Sequence, residues 1–450
     1  MRVYRLLQAF LRFATSIFFR RIQVVGAEHI PEDGPVIFCG NHPNSLLDPA
    51  LITAWGGRIV HFAAKDVLFR SRVLRVFLGA AGAVPIRRAK DHQGEALDNT
   101  EAFEQLFAVL AKGRAMGIFP EGISHDASQL ARLKTGAARI ALGAARAHPE
   151  ARFALVPCGL HYVHRRRFRS SVLIQFGPPI FIDEAVLAEA ATAERETVRA
   201  LTTRIEAGMR ALTVNAEDWE TLRVIDGVRR LYQPPRISLP QRVELARRFN
   251  AVYPSVKDEP SIMALFERVQ AYQDRLADLG LQDADVVRRR RPGRVLGRVL
   301  AHLVFMVLWM PLALIGLPLH LPLGYLLRYG SWRFAPRKDV VATTKFLVGF
   351  MLLGLAYVVI AGAVAWWAGP AWGVAALFGL PLAGYATLRV LERGAAVFRV
   401  FLTLGRLLRL QAELEALVVE RKALENEVLE AVNRFLPADM ERLFHREAEA

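Results

Sequence analysis

Short apolar runs alternate with polar, helix-spaced stretches across residues 23–215. The runs PVIFCG (35–40), RIVHFAAK (58–65), GAVPI (82–86), AMGIFPEG (115–122), FALVPCGLHY (153–162) and SVLIQFG (171–177) have the length of buried strands. Between them lie helical stretches such as 92–112, with Ala96, Phe103, Leu106, Phe107 and Leu110. Strands separated by helices predict an α/β domain over 25–215, with a largely parallel sheet flanked by helices. Sites in such sheets collect outside the carboxyl ends of the strands. Two polar motifs, at 41–48 and 121–125, begin just where an apolar run stops.

Outside that region the pattern changes. In residues 1–24, Leu6, Leu7, Phe10, Leu11, Phe13, Ile17 and Phe18 fall mostly on one helical face, and arginines punctuate the rest. That predicts an amphipathic helix in a membrane interface, with a surface helix packed on its own domain as the alternative. Residues 216–297 read as a charged helical linker broken at QPPR and VYPS. Residues 299–327 and 346–388 carry no Asp, Glu, Lys or Arg, which marks 298–391 as a membrane region. The second stretch predicts transmembrane helices 346–367 and 370–388 around Gly369-Pro370. Basic residues flank both stretches: RRRRPGR (288–294), RYGSWRFAPRK (328–338), Arg389 and Arg393. If every flank is cytoplasmic, 299–327 must enter and leave on one side as a re-entrant hairpin; the alternative is a single tilted span, which would put one basic loop outside. In the helical segment 392–450, Leu407, Leu410, Leu414, Leu417, Leu424, Val428 and Phe435 follow a heptad-like spacing interrupted by Arg421. This reads as a long helix packed on its own protein, with a homodimer through 407–435 as the alternative.

Charge and composition sharpen the picture. Lys and Arg outnumber Asp and Glu by 59 to 43 in 450 residues, a formal charge of +16, and 53% of the residues are hydrophobic. The positive excess suits an anionic partner, and the apolar stretches make that partner a phospholipid membrane. Zinc-finger spacing and the aromatic-basic interleaving of single-strand binders are both missing, so nucleic acid is not expected. Two cysteines, Cys39 and Cys158, exclude a disulfide framework and fit a reducing cytoplasm.

The chemistry starts at FCGNHPNSLLDP (38–49). Neutral imidazole can take a proton from an alcohol near pH 7, and a carboxylate accepting its other N–H fixes the tautomer. His42 and Asp48 fit those roles, and no nucleophilic serine or cysteine is needed if the substrate brings a hydroxyl. A capped turn that happens to hold His42 is the structural alternative. Cys39 lies three residues before His42 but inside an apolar run, which places it in the sheet. His161 and His164 have no Cys or carboxylate at zinc-ligand spacing, so no metal is expected.

NHPNSLLDP looks like the His-to-Asp motif of the glycerophospholipid acyltransferases, the PlsC-like group. Three further blocks follow in that family's order: GAVPIRR (82–88), FPEGISH (119–125) and LVPCG (155–159), with Arg88 and Pro157 at matching positions. Lys65 in FAAKDVLF sits where the family often has a lysine. The resemblance covers roughly residues 25–215 and departs twice. Five residues rather than four separate His42 from Asp48, and Ser124 stands where the family's third block has an arginine. Both departures resemble the fungal-type glycerol-3-phosphate and dihydroxyacetone-phosphate acyltransferases with trailing membrane segments. What the resemblance implies is a membrane-associated O-acyltransferase of phospholipid synthesis, its catalytic domain on the cytoplasmic face. It would move a fatty acyl group from acyl-CoA or acyl-carrier protein to glycerol-3-phosphate or a lysophosphatidate-like acceptor, with no bound cofactor. His42 is then the base and Asp48 its orienter, with Asn41, Lys65, Arg88, Glu121, Gly122, Ser124 and His125 binding the acceptor. Arg87 is adjacent to Arg88 and stays open. Glu121 suits an acceptor hydroxyl or the bracing of a basic residue. A non-catalytic lipid-binding protein that keeps the fold is the reading from another class.

Overall fold

The computed structural model describes residues 2–87, 100–234, 236–288, 292–335 and 337–435. Among the described residues eight strands form one sheet: β1 (Arg21–Val25), β2 (Val36–Gly40), β3 (Val60–Lys65), β4 (Val84–Ile86), β5 (Ala115–Ile118), β6 (Phe153–Tyr162), β7 (Ser171–Phe176) and β8 (Ile180–Ile182). Their order is β1-β7-β6-β2-β5-β3-β4, with β8 added antiparallel to β6. All pairs are parallel except β6 with β7 and β6 with β8. Six of the strands lie in the expected runs. β1 corrects the helix expected through residue 24, which ends at Phe18. β8 has only three residues, too few to show a period.

β2 is buried along its whole length between β5 and β6. Near-continuous apolar sequence is what a strand covered on both faces needs. The helix Gly136–Ala147 buries Ala137, Ala138, Ala141, Ala144 and Ala145 against the sheet core, alongside Ile140 and Leu142. Small alanines let a helix lie close to the strands. Because β2, β5, β3 and β4 run parallel, Asn41, Phe119, Asp66 and Arg87 all follow strands at one edge of the sheet.

The chain divides into two compact units. The first comprises Met1–Leu222, Ile237–Ala251 and Pro336–Thr343, so it takes two segments that the sequence placed elsewhere. Leu239 and Val243 bury against Leu173 of β7, which draws the start of Leu239–Val256 onto the sheet. The helix Arg2–Phe18 buries Tyr4, Leu11, Ala14 and Phe18. It is pinned by Tyr4 Oη, which donates to Val60 O (3.1 Å) and accepts from Val60 N (2.7 Å). Arg12 Nε donates to Ala54 O. Val3, Leu6, Phe10 and Phe13 stay exposed on another face.

The second unit comprises Arg223–Arg236, Val252–Ala335 and Thr344–Ala450. Residues 299–327, expected as a re-entrant hairpin, lie within one unbroken helix, Pro292–Phe334, despite Pro311, Pro318 and Pro322. The reason is lateral packing. Gly316 meets the backbone of Ala383 so closely that a Cβ would lie 2.5 Å from Ala383 O, and Thr387 Oγ1 donates to Ala313 O at 2.9 Å. Small residues of this kind let two helices approach closely. The helices Val341–Ala368 and Pro370–Arg409 follow, parted by Gly369 at φ +101°. All three regions are long and apolar enough to cross a bilayer. The helix Gln411–Phe435 buries Leu414, Leu417, Leu424 and Val428. Arg421, which breaks the heptad, pairs with Asp283 (2.8 Å) and Glu425 (2.8 Å). Arg268 and Arg275, from the helix Pro260–Asp278, pair with Glu427 and Glu420. Leu414, Leu417, Leu424 and Val428 are thus covered by the same chain.

Candidate active site

Two residues past β2 the chain reaches His42, and its imidazole is fixed from several sides. Nδ1 lies 2.8 Å from Asp48 Oδ2. The ring stacks on Phe119, with centroids 4.0 Å apart and planes within 6°. Phe119 in turn stacks on Phe62, and this shelf exists because Gly117 has no Cβ to strike the Phe62 ring. With Nδ1–H donated to Asp48, Nε2 carries the lone pair, and among the described residues it has no hydrogen-bond partner. That is the tautomer a general base needs.

Asp48 is fully buried in the first turn of the helix Leu47–Trp55. Burying a carboxylate is tolerable only when it is hydrogen-bonded. It accepts from His42 Nδ1, from Asn44 N (2.7 Å) and, on Oδ1, from the Tyr162 hydroxyl (2.6 Å). Burial and the neighbouring Asp48 push the Tyr162 hydroxyl well above its ordinary range, so it remains a donor. The additional residue between His42 and Asp48 is absorbed before the helix begins. Ser45 sits at φ +50°, a left-handed conformation that costs a non-glycine residue of the order of 1–3 kcal/mol. Hydrogen bonds from Leu47 N to Asn44 O and from Asp48 N to Ser45 O hold that turn.

The second motif meets the first through Glu121. Its Oε1 accepts His42 N–H (2.8 Å), and its Oε2 accepts Ala131 N–H (2.8 Å) and a short hydrogen bond from His125 Nε2. His125 N–H donates to His42 O (3.1 Å), which closes a ring between the two loops. Glu121 therefore braces His42 and His125 rather than standing open for an acceptor. Its hydrogen bond to His125 raises that imidazole above its ordinary range, against the effect of burial. Gly122 adopts φ +71° with the Lys134 side chain over it; a Cβ would fall 2.6 Å from Lys134 Nζ. Its N–H donates to Phe119 O, whereas those of Ile123 and Ser124 donate to nothing among the described residues.

The remaining expected residues separate. Asn41 is tied to the backbone: its amide oxygen accepts Leu160 N–H (2.7 Å) and its amide nitrogen donates to Leu160 O (3.1 Å), which locks the loop to β6. Lys65 closes β3 on the same sheet edge as the catalytic loop, beside the end of β4. Arg87 follows β4, and Arg88 lies outside the described residues. The Ser124 hydroxyl donates to Asp339 (2.5 Å). Cys39 is wholly buried and its thiol is pushed up to about 12 by burial, so it is no nucleophile. Among the described residues no cluster of His, Cys, Asp or Glu is arranged to hold a metal ion.

Sequence reasoning missed Phe119 as the imidazole's shelf and Tyr162 as the third donor to Asp48. Tyr162 had a signal, as a polar group closing an apolar strand. Lys134, Arg337, Asp339 and Thr343 had none, because nothing local joins them to the motifs.

Residues 21–161 match the family model described as Acyltransferase, and residues 224–440 match that of the glycerol-3-phosphate acyltransferase 2 C-terminal domain. The chain is 28% identical to Glycerol-3-phosphate O-acyltransferase 2 of Saccharomyces cerevisiae, over 76% of this chain and 62% of that one. It is 32% identical to Glycerol-3-phosphate O-acyltransferase 1 of the same yeast, over 58% of this chain and 37% of that one. The matches thus span less than two thirds of each relative's length. The crystal structure of the 1-acyl-sn-glycerophosphate acyltransferase PlsC from Thermotoga maritima aligns with a TM-score of 0.33 at 20% identity, covering 45% of this chain and 78% of that one.

Proposed function

We propose that the chain, whose residues 21–161 and 224–440 match acyltransferase family models, is a glycerophospholipid acyltransferase that transfers a fatty acyl group from an acyl thioester to the primary hydroxyl of glycerol-3-phosphate. The observation that carries this reading is the His42 imidazole, with Nδ1 tied to buried Asp48 and Nε2 open. His42 Nε2 takes the acceptor's hydroxyl proton as its oxygen attacks the thioester carbonyl. The new C–O bond forms, the C–S bond breaks, and the imidazolium returns the proton to the departing thiolate. Asp48 stabilises the imidazolium while it exists. The stacked Phe119 and Phe62 rings keep one face of the imidazole dry, which strengthens that pairing.

Lys65, Arg87 and Lys134 are cations placed at or near the carboxyl edge of the sheet, suited to an acceptor phosphate. The free N–H groups of Ile123 and Ser124 suit a phosphate or the developing oxyanion. Three apolar helices and the exposed Val3, Leu6, Phe10 and Phe13 support a membrane-bound enzyme. Both the acyl chain and the product are then close to lipid.

The test is turnover by the purified full chain in vesicles, with labelled acyl-CoA and acyl-carrier protein as donors. Acceptors are glycerol-3-phosphate, dihydroxyacetone phosphate, lysophosphatidate and other lysophospholipids. Glycerol-3-phosphate is expected to give the highest kcat/KM. Absence of acyl transfer to every acceptor overturns the proposal.

A further inference from the structure

We propose that Arg337 binds the phosphate of the acceptor. It comes from the segment that precedes the helix Val341–Ala368 and is far from the four sequence blocks. Pro336–Thr343 belongs to the same unit as the sheet, and three of its side chains engage the catalytic loops. Thr343 Oγ1 donates to Asn44 O at 2.9 Å, inside the turn that links His42 to Asp48. Asp339, only 6% exposed, accepts from Ser124 Oγ at 2.5 Å and from Arg337 Nη2 at 2.8 Å. Arg337 Nη2 also donates to Ser124 Oγ at 3.0 Å.

A buried carboxylate needs such partners, so Asp339 explains why Nη2 is occupied. It does not explain the rest of the guanidinium. Arg337 Nε and Nη1 donate to nothing among the described residues, and the side chain is half exposed. A guanidinium held at Nη2 keeps N–H donors on Nη1 and Nε, each able to meet a phosphate oxygen, beside a fixed positive charge. The position is apt. Ser124, which Arg337 touches, precedes His125, whose N–H bonds the carbonyl of His42. The unpaired N–H groups of Ile123 and Ser124 lie on the same turn. Arg337 thus supplies, across 213 positions of sequence, a cation at a loop position occupied here by an uncharged serine. The discrimination it confers is for a phosphorylated acceptor over one that bears only hydroxyls.

This inference rests on the acyl-transfer reading, so the test separates the two. Binding of glycerol-3-phosphate and of inorganic phosphate to the full chain is measured by calorimetry without donor, for wild type, Arg337→Ala and Arg337→Lys. Steady-state kinetics follow. Losing a hydrogen bond to a charged group predicts about a tenfold or greater loss of affinity for glycerol-3-phosphate, and a matching rise in its KM, in Arg337→Ala. Arg337→Lys should fall between, while kcat and the thioester KM stay near wild type. Arg337→Lys also keeps the test open if the alanine variant unfolds. Equal affinities in all three proteins, or a loss confined to kcat or to the thioester KM, overturn the assignment. Failure of wild type to transfer an acyl group, with phosphate binding still dependent on Arg337, would overturn the proposed activity and leave this site standing.

Discussion

Replacing Tyr162 by phenylalanine removes one hydroxyl and leaves the ring packed beside Phe19, at a centroid distance of 5.8 Å. That hydroxyl is the donor to Asp48 Oδ1, at 2.6 Å. Asp48 is fully buried and Tyr162 nearly so, so water has no ready way to replace it. A hydrogen bond to a charged group is worth about 1.5–3 kcal/mol, and this is the expected loss of folding stability. Catalysis should respond through position. With two donors left, both on Oδ2, Asp48 holds His42 less firmly. Passing half of the lost interaction to the transition state would lower kcat by roughly three- to tenfold. The assay is the rate of acyl transfer by wild type and Tyr162→Phe, paired with thermal unfolding of each. A variant with wild-type stability and wild-type kcat would refute the three-donor account of Asp48.

Other consequences are as specific. Because Glu121 raises the proton affinity of His125 in the folded chain, the stabilisation from that pair is complete below the ordinary imidazole range and fades as pH climbs through the raised value. The stability gap between wild type and His125→Gln should therefore be wider at pH 6 than at pH 9, and a gap that grows with pH would contradict the pairing. Burial pushes the Cys39 thiol up to about 12 and holds Cys158 well above its ordinary range, so N-ethylmaleimide should leave the native protein active; inactivation with label on Cys39 would show the strand to be open. Phe13 is 59% exposed on the amino-terminal helix. An environment-sensitive fluorophore on a Phe13→Cys variant should shift to the blue in reconstituted vesicles and be quenched by brominated lipid, whereas the emission of a water-exposed dye would remove this helix from the membrane.

The legible parts of the molecule are those in which local pattern and chemistry coincide. β2 could be read because its five residues are all buried and end on a polar cluster. His42 and Asp48 could be paired because only six positions separate them, although the manner of their meeting could not. The sequence allowed either a bulge or a late helix, and the solution is a left-handed Ser45 followed by a helix that starts at Leu47. The partner of Asn41 could not be read because side-chain amides suit both substrates and backbone, and its bonds to Leu160 depend on β6 lying alongside. The hairpin at 299–327 was inferred from flanking charge, which does not report the close approach of Gly316 to Ala383 or the continuity of the helix. Arg337 and Asp339 were invisible for a simpler reason: their significance lies in touching Ser124, and no periodicity carries that over two hundred residues.

The most direct test of the central claim is the rate of acyl transfer by His42→Ala, measured beside wild type at equal folded concentration. Losing a positioned general base should lower kcat by about 10²–10⁴-fold, with binding of glycerol-3-phosphate nearly unchanged. A His42→Ala protein that turns over at the wild-type rate would show that the proton leaves the acceptor by another route.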